Sequence, residues 1–380
     1  MRSLYLLWCI AVLTCCRVSG GERQPDVDAQ VTVCDRDDDC QTGASCLDPG
    51  TSQARCEPRP TSPPSGAVKV MTYNVREGGV NPAWKDVVRA ENADIIVFVE
   101  TSDWDTAKVD ALLDEFNEHF STGLYAPPAD RPPYVAHAEP DPPPYGGTAI
   151  FSRYPILDVT PIDSLTLDDM SPWAPIRVFM LWELDVDGIP MFVTGVHPKC
   201  CGGASNELRR ERDIEGLINW LDDFLASGNI VIAGDFNAFS YADEQAGNNQ
   251  GDLGHGPLEI LLDENPGDFY DTHGSTRHAF YDGYRSLVPD ISAADHTYRN
   301  GSYRSRIDFI LVGEGLQPAL VGPASVGAST ASDPGSDHFT VDIHLDLRTL
   351  RKNLPDDTRT AREAAESPAL AGSAGRSDPW

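Results

Sequence analysis

Asn229-Ile230-Val231-Ile232-Ala233-Gly234-Asp235-Phe236-Asn237-Ala238-Phe239 is the stretch on which the fold turns. Ile230 to Ala233 form the short unbroken apolar run of a strand buried on both faces, and Gly234 frees the backbone at its end. A strand sunk in a core ordinarily ends in a turn. This one ends in a carboxylate and a carboxamide, Asp235 and Asn237, two residues apart and so on one side of an extended chain. Taken alone, the pair reads equally well as an Asx turn. The rest of the chain has to separate the two readings.

Working outward, Leu208, Ile214, Leu217, Ile218, Leu221, Phe224 and Leu225 recur at helical spacing, with Ser205 or Asn206 as the expected cap and Gly228 as the stop. That helix leads into the strand at Ile230. Before it, Ile176–Val186 and Met191–His197 flank Asp187-Gly188, a strong hairpin signal. Earlier still, Val68–Asn74, Asp94–Glu100 and Thr148–Ser152 read as strands, and Trp84, Val87, Val88 and Ala90 as a short helix. Downstream, Arg306–Val312 and Phe339–Leu347 read as strands, the second alternating apolar and polar residues. The Pro-rich stretch Tyr125–Tyr145 is expected to be a surface loop.

Composition sets limits on function. The chain has 380 residues and a hydrophobic fraction of 41%, enough for a large core. Its 59 acidic residues against 29 basic ones give a formal net charge of −30. That excludes a protein held on nucleic acid by a broad basic surface, because phosphate-backbone affinity comes from Lys and Arg. It does not exclude an enzyme that meets nucleic acid through a bound cation.

Residues 1–20 carry the layout of a secretory signal: Arg2, an apolar run from Leu4 to Leu13, then small or polar residues around Ser19 and Gly20, where cleavage is expected. The alternative of lipid attachment at Cys15 or Cys16 matches less well. Cleavage leaves Cys34, Cys40, Cys46, Cys56, Cys200 and Cys201, and an even number in an exported chain reads as disulfides. Residues 21–66 form a small Cys-rich module with almost no large apolar side chains, followed by a linker stiffened by Pro58, Pro60, Pro63 and Pro64. Its four cysteines allow three pairings. The acidic run Asp35, Asp37, Asp38 and Asp39 lacks the turn glycine and closing Glu of a calcium loop. Residues 67–348 form the main domain, and residues 349–380 a polar tail expected to be disordered. No other segment is long and apolar enough to span a membrane. The expected product is a soluble monomer, secreted or held in the periplasm or at the cell surface.

Almost every strand of the main domain ends in polar groups of the same few kinds: Asn74, Glu100, His197, then Asp235 with Asn237. A late strand carries Asp308, and Asp337-His338 precedes the last. Each has an ordinary explanation, such as a helix cap for Glu100, a satisfied loop histidine for His197, an ion-pair partner of Arg304 or Arg306 for Asp308, and a turn for Asp337-His338. Together those explanations require six unrelated coincidences. One hard divalent cation accounts for the set, since Mg²⁺ takes oxygen ligands, keeps several waters and commonly needs one or two carboxylates. Glu100 and Asp337, with Asn74 close by, are the candidate ligands. Two histidines beside such a metal suit hydrolysis of a phosphate ester, one neutral to take a proton from water and the other protonated to serve the leaving oxygen. Asp308 would orient one imidazole, as a carboxylate does in catalytic triads.

The ordered set Met71-Thr72-Tyr73-Asn74-Val75, Ile95-Ile96-Val97-Phe98-Val99-Glu100, Gly147-Thr148-Ala149-Ile150-Phe151-Ser152, Gly195-Val196-His197, Gly234-Asp235-Phe236-Asn237, Arg306-Ile307-Asp308-Phe309-Ile310 and Ser336-Asp337-His338 resembles the endonuclease/exonuclease/phosphatase superfamily. This superfamily includes pancreatic-type deoxyribonucleases, abasic-site endonucleases, neutral sphingomyelinases and inositol polyphosphate 5-phosphatases. The resemblance covers about Val68 to Leu347 and implies an α/β fold of two packed β-sheets flanked by helices, a four-layer sandwich with the site at one end. It implies that Glu100 is the principal metal ligand, assisted by Asn74 and Asp337. His338 is similar to the family's general base, Asp308 to its orienting carboxylate, and His197 to the general acid of the deoxyribonuclease and sphingomyelinase branches. Asp235 and Asn237 resemble the pair that contacts attacking water, scissile phosphate and metal. An acidic residue supporting the general acid is expected between Ser102 and Gly147, where the sequence singles none out.

The resemblance thus implies a metal-dependent phosphodiesterase using Mg²⁺, Ca²⁺ or Mn²⁺, with nucleic acid as the leading substrate and a phospholipid headgroup as the alternative. A sphingomyelinase should show an exposed aromatic hairpin for a membrane surface, and none is evident. An inositol phosphatase needs a Lys/Arg cluster that this acidic chain does not display. A non-catalytic binding module would be expected to have lost His197 or Glu100. The run His197-Pro198-Lys199-Cys200-Cys201-Gly202-Gly203 sets this member apart. Its adjacent cysteines invite either a vicinal disulfide or pairing elsewhere, in a loop placed to shape the substrate mouth.

Overall fold

A computed structural model describes residues 44–47, 55–58, 63–121, 132–139, 146–225, 228–249, 253–262, 280–327 and 335–351. Residues 1–20, expected to be a secretory signal, most of the expected Cys-rich module at 21–66 and the tail beyond residue 351 lie outside the described residues. The chain divides into two units, Met1–Arg59 and Pro60–Trp380. In the first, strands β1 (Ala44–Leu47) and β2 (Arg55–Pro58) pair antiparallel with Cys46 opposite Cys56 in the register.

The second unit follows, in chain order, as β3 (Val68–Asn74), α1 (Trp84–Glu91), β4 (Ile95–Val99), α2 (Thr106–Ser121), β5 (Val135–Glu139), β6 (Thr148–Ser152) and β7 (Ile156–Ile162). A short pair, β8 (Leu165–Thr166) and β9 (Pro172–Trp173), precedes β10 (Phe179–Val186), β11 (Ile189–Val196), α3 (Ala204–Leu225) and β12 (Ile230–Asp235). Then come α4 (Tyr241–Ala246), α5 (Gly256–Leu262), β13 (Phe280–Asp282), the hairpin β14 (Tyr298–Asn300) and β15 (Tyr303–Ser305), β16 (Asp308–Gly313), β17 (Leu320–Val326) and β18 (Val341–Leu345). Two six-stranded mixed sheets result, one in the order β17-β18-β3-β4-β6-β5 and the other β13-β16-β12-β11-β10-β7.

Strand parity explains why the sheets stack. Alternate residues of a strand face opposite ways. Val68 and Val70, Ile95 and Val97, Met191 and Val193, Val231 and Ala233, and Ile310 and Val312 share one buried cluster with Trp182, which is the core between the sheets. The opposite parity, Ile230 and Ile232 with Phe309 and Leu311, packs on Ile214, Leu217, Ile218 and Leu221 of α3. On the other sheet, Met71, Tyr73, Ile96 and Phe98 meet Trp84 and Val88 of α1 and Leu112, Phe116 and Phe120 of α2. The order helix, sheet, sheet, helix is the four-layer sandwich expected from the sequence. Burying a Leu, Ile or Phe is worth about 1.5–3 kcal/mol, so the three clusters are what oblige these amphipathic layers to pack.

Differences from the sequence reading have local causes. The Pro-rich stretch contains β5, an edge strand on β6 in which His137 takes a hydrogen bond from the Trp182 indole (3.1 Å). Val-Ala-His-Ala-Glu between prolines alternates too weakly to show as a strand. Helix α2 was not expected, although Val109, Leu112, Phe116 and Phe120 carry its spacing. Helix α3 begins at Ala204, so Ser205 and Asn206 lie in its first turn, and the carbonyl of Gly203 accepts from the amides of Asn206 and Glu207. The hairpin at Asp187-Gly188 forms as expected, both residues having positive φ. In β18 the polar alternates Asp342 and His344 are buried rather than solvent-facing, Asp342 lying 3.7 Å from Lys69 and accepting from Ser325.

Candidate active site

The parity that builds the core between the sheets also builds the site. Continuing Val68, Val70 by two steps places Asn74 on the inner face at the end of β3. Met191, Val193 lead to His197 just past β11; Val231, Ala233 lead to Asp235 at the end of β12; and Val312, Ile310, read backwards, lead to Asp308 at the start of β16. β12 and β16 are antiparallel, with Asp235 directly opposite Asp308. β3 runs parallel to β4, and β11 to β12, and the 3.1 Å bond from Asn74 to Asp235 joins the carboxyl ends of the two pairs at one edge of the sandwich.

Glu100 breaks the parity rule and reaches the site through its backbone. It follows Val99 and would point outwards, but its φ of 61° lies in the left-handed region that side-chain-bearing residues seldom adopt. The turn brings its carboxylate inwards. Oε1 accepts from the Asn74 amide at 3.1 Å, and Oε2 from the Glu77 backbone N–H at 2.8 Å. Strained backbone held by such contacts is characteristic of functional positions.

Asn74 is the hub. Its Oδ1 accepts from the Arg76 backbone N–H at 2.9 Å, which fixes the orientation of the amide. Its Nδ2 carries two hydrogens, taken by Glu100 Oε1 and Asp235 Oδ2, each at 3.1 Å. His338 Nε2 lies 3.4 Å from the same nitrogen, beyond those two bonds, and so faces the site with capacity to spare.

His338 is held from three sides. Its Nδ1 pairs with Asp308 Oδ2 at 2.8 Å, its ring packs on Tyr298 with centroids 4.9 Å apart, and its backbone bridges to Tyr298. Asp308 is anchored in turn by Thr297, whose Oγ1 accepts the backbone N–H of both Ile307 and Asp308 at 2.9 Å. His197 Nε2 stands 3.6 Å from Asp235 Oδ2 and 3.9 Å from Glu100 Oε1, while its carbonyl and that of Pro198 accept from Arg177 Nη1 at 2.8 and 2.6 Å.

The electrostatics follow from this crowding. Burial raises the Asp235 carboxyl above its usual range; His338 pulls it down, and Asp308 and Glu100 push it up again. Burial by itself would lower the His338 imidazolium, yet Asp308 and Asp235 outweigh it and raise the group. Among the described residues Asp308 Oδ1 is buried without a hydrogen-bond partner. The cluster is therefore over-supplied with negative charge, as a divalent cation requires, and its donors are the carboxylate and carboxamide oxygens that hard cations prefer. Asp235, Asp308 and His338 present ligand atoms within 4.8 Å of one another, but Asp308 and His338 are committed to each other. The residues suited to a cation are Glu100 and its neighbours.

Two of the sequence-derived positions sit differently from the rest. Asp337 joins at one remove, its Oδ2 3.8 Å from Arg76 Nη1. Asn237 was expected to share a side with Asp235, but its φ of 50° turns the chain; its backbone N–H closes an Asx turn onto Asp235 Oδ1 at 2.8 Å, and its amide donates to the Pro198 carbonyl at 3.3 Å. Both readings of the opening stretch hold, since Asp235 serves the turn with one oxygen and the site with the other. Arg76, Arg177, Thr297 and Tyr298 escaped the sequence reading. Arg76 follows the Met71–Val75 motif and Arg177 lies inside the stretch read as a strand, but neither was singled out. Part of the segment between Ser102 and Gly147, where an acidic support for His197 was expected, lies outside the described residues.

Carboxylates, a carboxamide and two imidazoles converging at one end of a double-sheet α/β sandwich define a phosphoric ester hydrolase. The chain belongs to the Endonuclease/Exonuclease/phosphatase family, whose profile matches residues 71–338. Family enzymes of this type are typically dependent on a divalent metal. Among solved structures, the 3′-5′ exonuclease NExo from Neisseria meningitidis is 21% identical, with 73% of this chain and all of that one covered and a TM-score of 0.52. A variant of the 3′ phosphatase NExo from Neisseria, bound to product DNA hairpin, is 19% identical over 74% of this chain and 100% of that one, with a TM-score of 0.52. An AP endonuclease from Archaeoglobus fulgidus is 15% identical over 73% and 99%, with a TM-score of 0.48. No curated protein matches the chain.

Proposed function

We propose that this protein is an exported, divalent-cation-dependent phosphodiesterase that cleaves nucleic acid, with His338 as general base and His197 as general acid. The observation that carries the reading is the hub at Asn74, where groups from both sheets meet around one buried amide. Glu100, with Asn74 and Asp337, would hold the cation. When bound, the cation supplies positive charge that neutralises the carboxylate cluster and polarises a phosphoryl oxygen.

Without a cation the surrounding carboxylates hold His338 in its charged form; with their charge neutralised, Asp308 would keep the Nδ1 proton and leave Nε2 to accept one from water. Asp235, 3.6 Å from both imidazoles, stabilises whichever of them is charged. Burial of both rings excludes bulk water. The net charge of −30 does not oppose an anionic substrate here, because the exposed or half-exposed guanidiniums of Arg76, Arg299 and Arg304 lie on this rim and on the β14–β15 hairpin. The product DNA hairpin bound to the related Neisseria fold supports nucleic acid as the substrate class. Among the described residues no helix is long and apolar enough to cross a membrane.

The test is hydrolysis by purified protein on plasmid DNA, RNA and sphingomyelin vesicles in parallel, with Mg²⁺, Ca²⁺, Mn²⁺ or chelator, and with His197→Ala as control. Strand cleavage stopped by chelator and by the substitution is the expected result. Headgroup release without strand cleavage would replace nucleic acid by phospholipid. Hydrolysis of every substrate in chelator would overturn the role of the cation.

A further inference from the structure

The loop after His197 carries chemistry that hydrolysis does not use. Cys200 Sγ and Cys201 Sγ stand 3.0 Å apart, Cys201 exposed and Cys200 half-buried. Cys201 has a φ of 74°, so the pair sits on backbone held away from its preferred conformation. What holds it is visible on both sides. The buried Arg210 donates from Nη1 to the carbonyls of Lys199 and Cys201, at 2.9 and 2.8 Å, and pairs with Glu207. Arg177 grips the carbonyls of His197 and Pro198, and Asn237 reaches Pro198 as well. A disturbance at the cysteines therefore runs along one clamped strip of backbone to His197.

We propose that Cys200 and Cys201 form a redox-modified site, closing into a vicinal disulfide by exchange with a small-molecule disulfide and thereby shifting the loop that carries His197. The Cys201 thiol, deprotonated, attacks one sulfur of the small disulfide; that S–S bond breaks and the first small thiol leaves with the proton. Cys200, deprotonated in its turn, then attacks the Cys201 sulfur; the mixed S–S bond breaks as the Cys200–Cys201 bond forms, and the second small thiol leaves with that proton. The two cysteines lose two electrons, and the small disulfide gains them. Held side by side, the second thiol completes the exchange faster than any incoming one.

The bond so formed is easily reversed. Adjacent Cα atoms are about 3.8 Å apart across a trans peptide, below the roughly 4.4–6.8 Å usual for a disulfide, and a strained, exposed disulfide is the reducible kind. Hydrogen bonding to Cys200, then burial, raises the Cys201 thiol, so exchange should quicken as pH rises.

The effect on turnover, though not the bond itself, rests on the hydrolase reading above. The full-length protein is treated with glutathione disulfide or with reduced glutathione, alkylated with iodoacetamide and digested with trypsin, which cuts after Lys199 and Arg209. After glutathione disulfide the peptide 200–209 should be unalkylated and lighter by two hydrogens; after reduced glutathione it should carry two alkyl groups. Two alkyl groups in both samples, retained glutathione, or linkage to another peptide would each overturn the proposal. In parallel, kcat/KM on bis(para-nitrophenyl) phosphate should differ severalfold between the two forms and not at all in Cys200→Ser/Cys201→Ser. Equal values in the wild type would remove the link to His197. Absence of turnover in every form would count against the hydrolase reading, while the masses still decide the bond.

Discussion

Asp308→Asn isolates the proton logic of the site, because the substitution removes one charge and adds one donor without changing shape. The Asp308 carboxylate meets His338 Nδ1 at 2.8 Å in a buried pair. An asparagine there either loses this bond or donates into Nδ1, forcing the ring proton onto Nε2, where it blocks acceptance from water. A charge-assisted hydrogen bond of this kind is worth about 1.5–3 kcal/mol, or roughly 10- to 150-fold. Reversal of the tautomer carries triad-like losses towards about 10⁴. A fall in kcat on the order of 10³-fold is expected, with KM changed much less. Stability should fall by no more than about the 1.5–3 kcal/mol of that bond, since the Asp308 backbone N–H still donates to Thr297 Oγ1. The assay is steady-state hydrolysis of bis(para-nitrophenyl) phosphate with saturating Mg²⁺, beside urea denaturation of the same preparation. Asp308→Asn/His338→Ala should be no slower than His338→Ala alone, because the two residues act as a unit. A kcat within tenfold of wild type, or a double variant that adds the two losses in full, would refute the assignment.

Other expectations are simpler. Gly234→Ala should cost at least about 3 kcal/mol and abolish turnover, because φ is 149° and the new Cβ would stand 2.0 Å from the Val196 carbonyl oxygen, next to Asp235; urea titration checks it. Arg210→Leu should destabilise by about 2–4 kcal/mol, since it leaves two loop carbonyls without their donor and Glu207 with only the Gly254 and Gly256 amides, and limited proteolysis should then cut near Lys199. Asp213→Asn tests a buried carboxyl that burial raises to about 6, against the pull of the Trp173 indole and Arg209. A raised carboxyl contributes fully below its unfolded pKa near 3.8 and loses that contribution as pH rises through about 6, so the variant should match wild type near pH 4. It should gain up to roughly 3 kcal/mol by pH 8, while keeping the 2.7 Å acceptor for Trp173; equal stabilities at both pH values would refute the shift.

Much of this site could be read before the fold was seen, for a physical reason. Asn74, His197, Asp235 and Asp308 each extend an inward-facing apolar series by an even number of residues, so the pattern that writes the core also writes the position of the polar group. Glu100 was legible only as a strand end, since its left-handed φ depends on contacts from Asn74 and Glu77 that no local pattern encodes. Thr297 and Tyr298 were not legible. They precede Asp308 by about ten residues with no periodic signal, and matter because a hairpin folds back onto residues 337–339. β5 was hidden for a different reason, as edge strands need little apolar alternation.

The pairing of β18 with β3 has a consequence for how the enzyme can be mounted. Leu345 lies opposite Val68, whereas Val341 lies opposite Thr72, two residues from Asn74. The domain therefore begins and ends at one pole, and the reactive groups gather at the other. A chain fixed to a bead, a surface or a fusion partner close to either point would turn its mouth away from the support. Joining the two points by a short bridge would make a closed loop of the domain, and new ends could then be opened in an exposed turn such as Asp187-Gly188 without touching a single site residue.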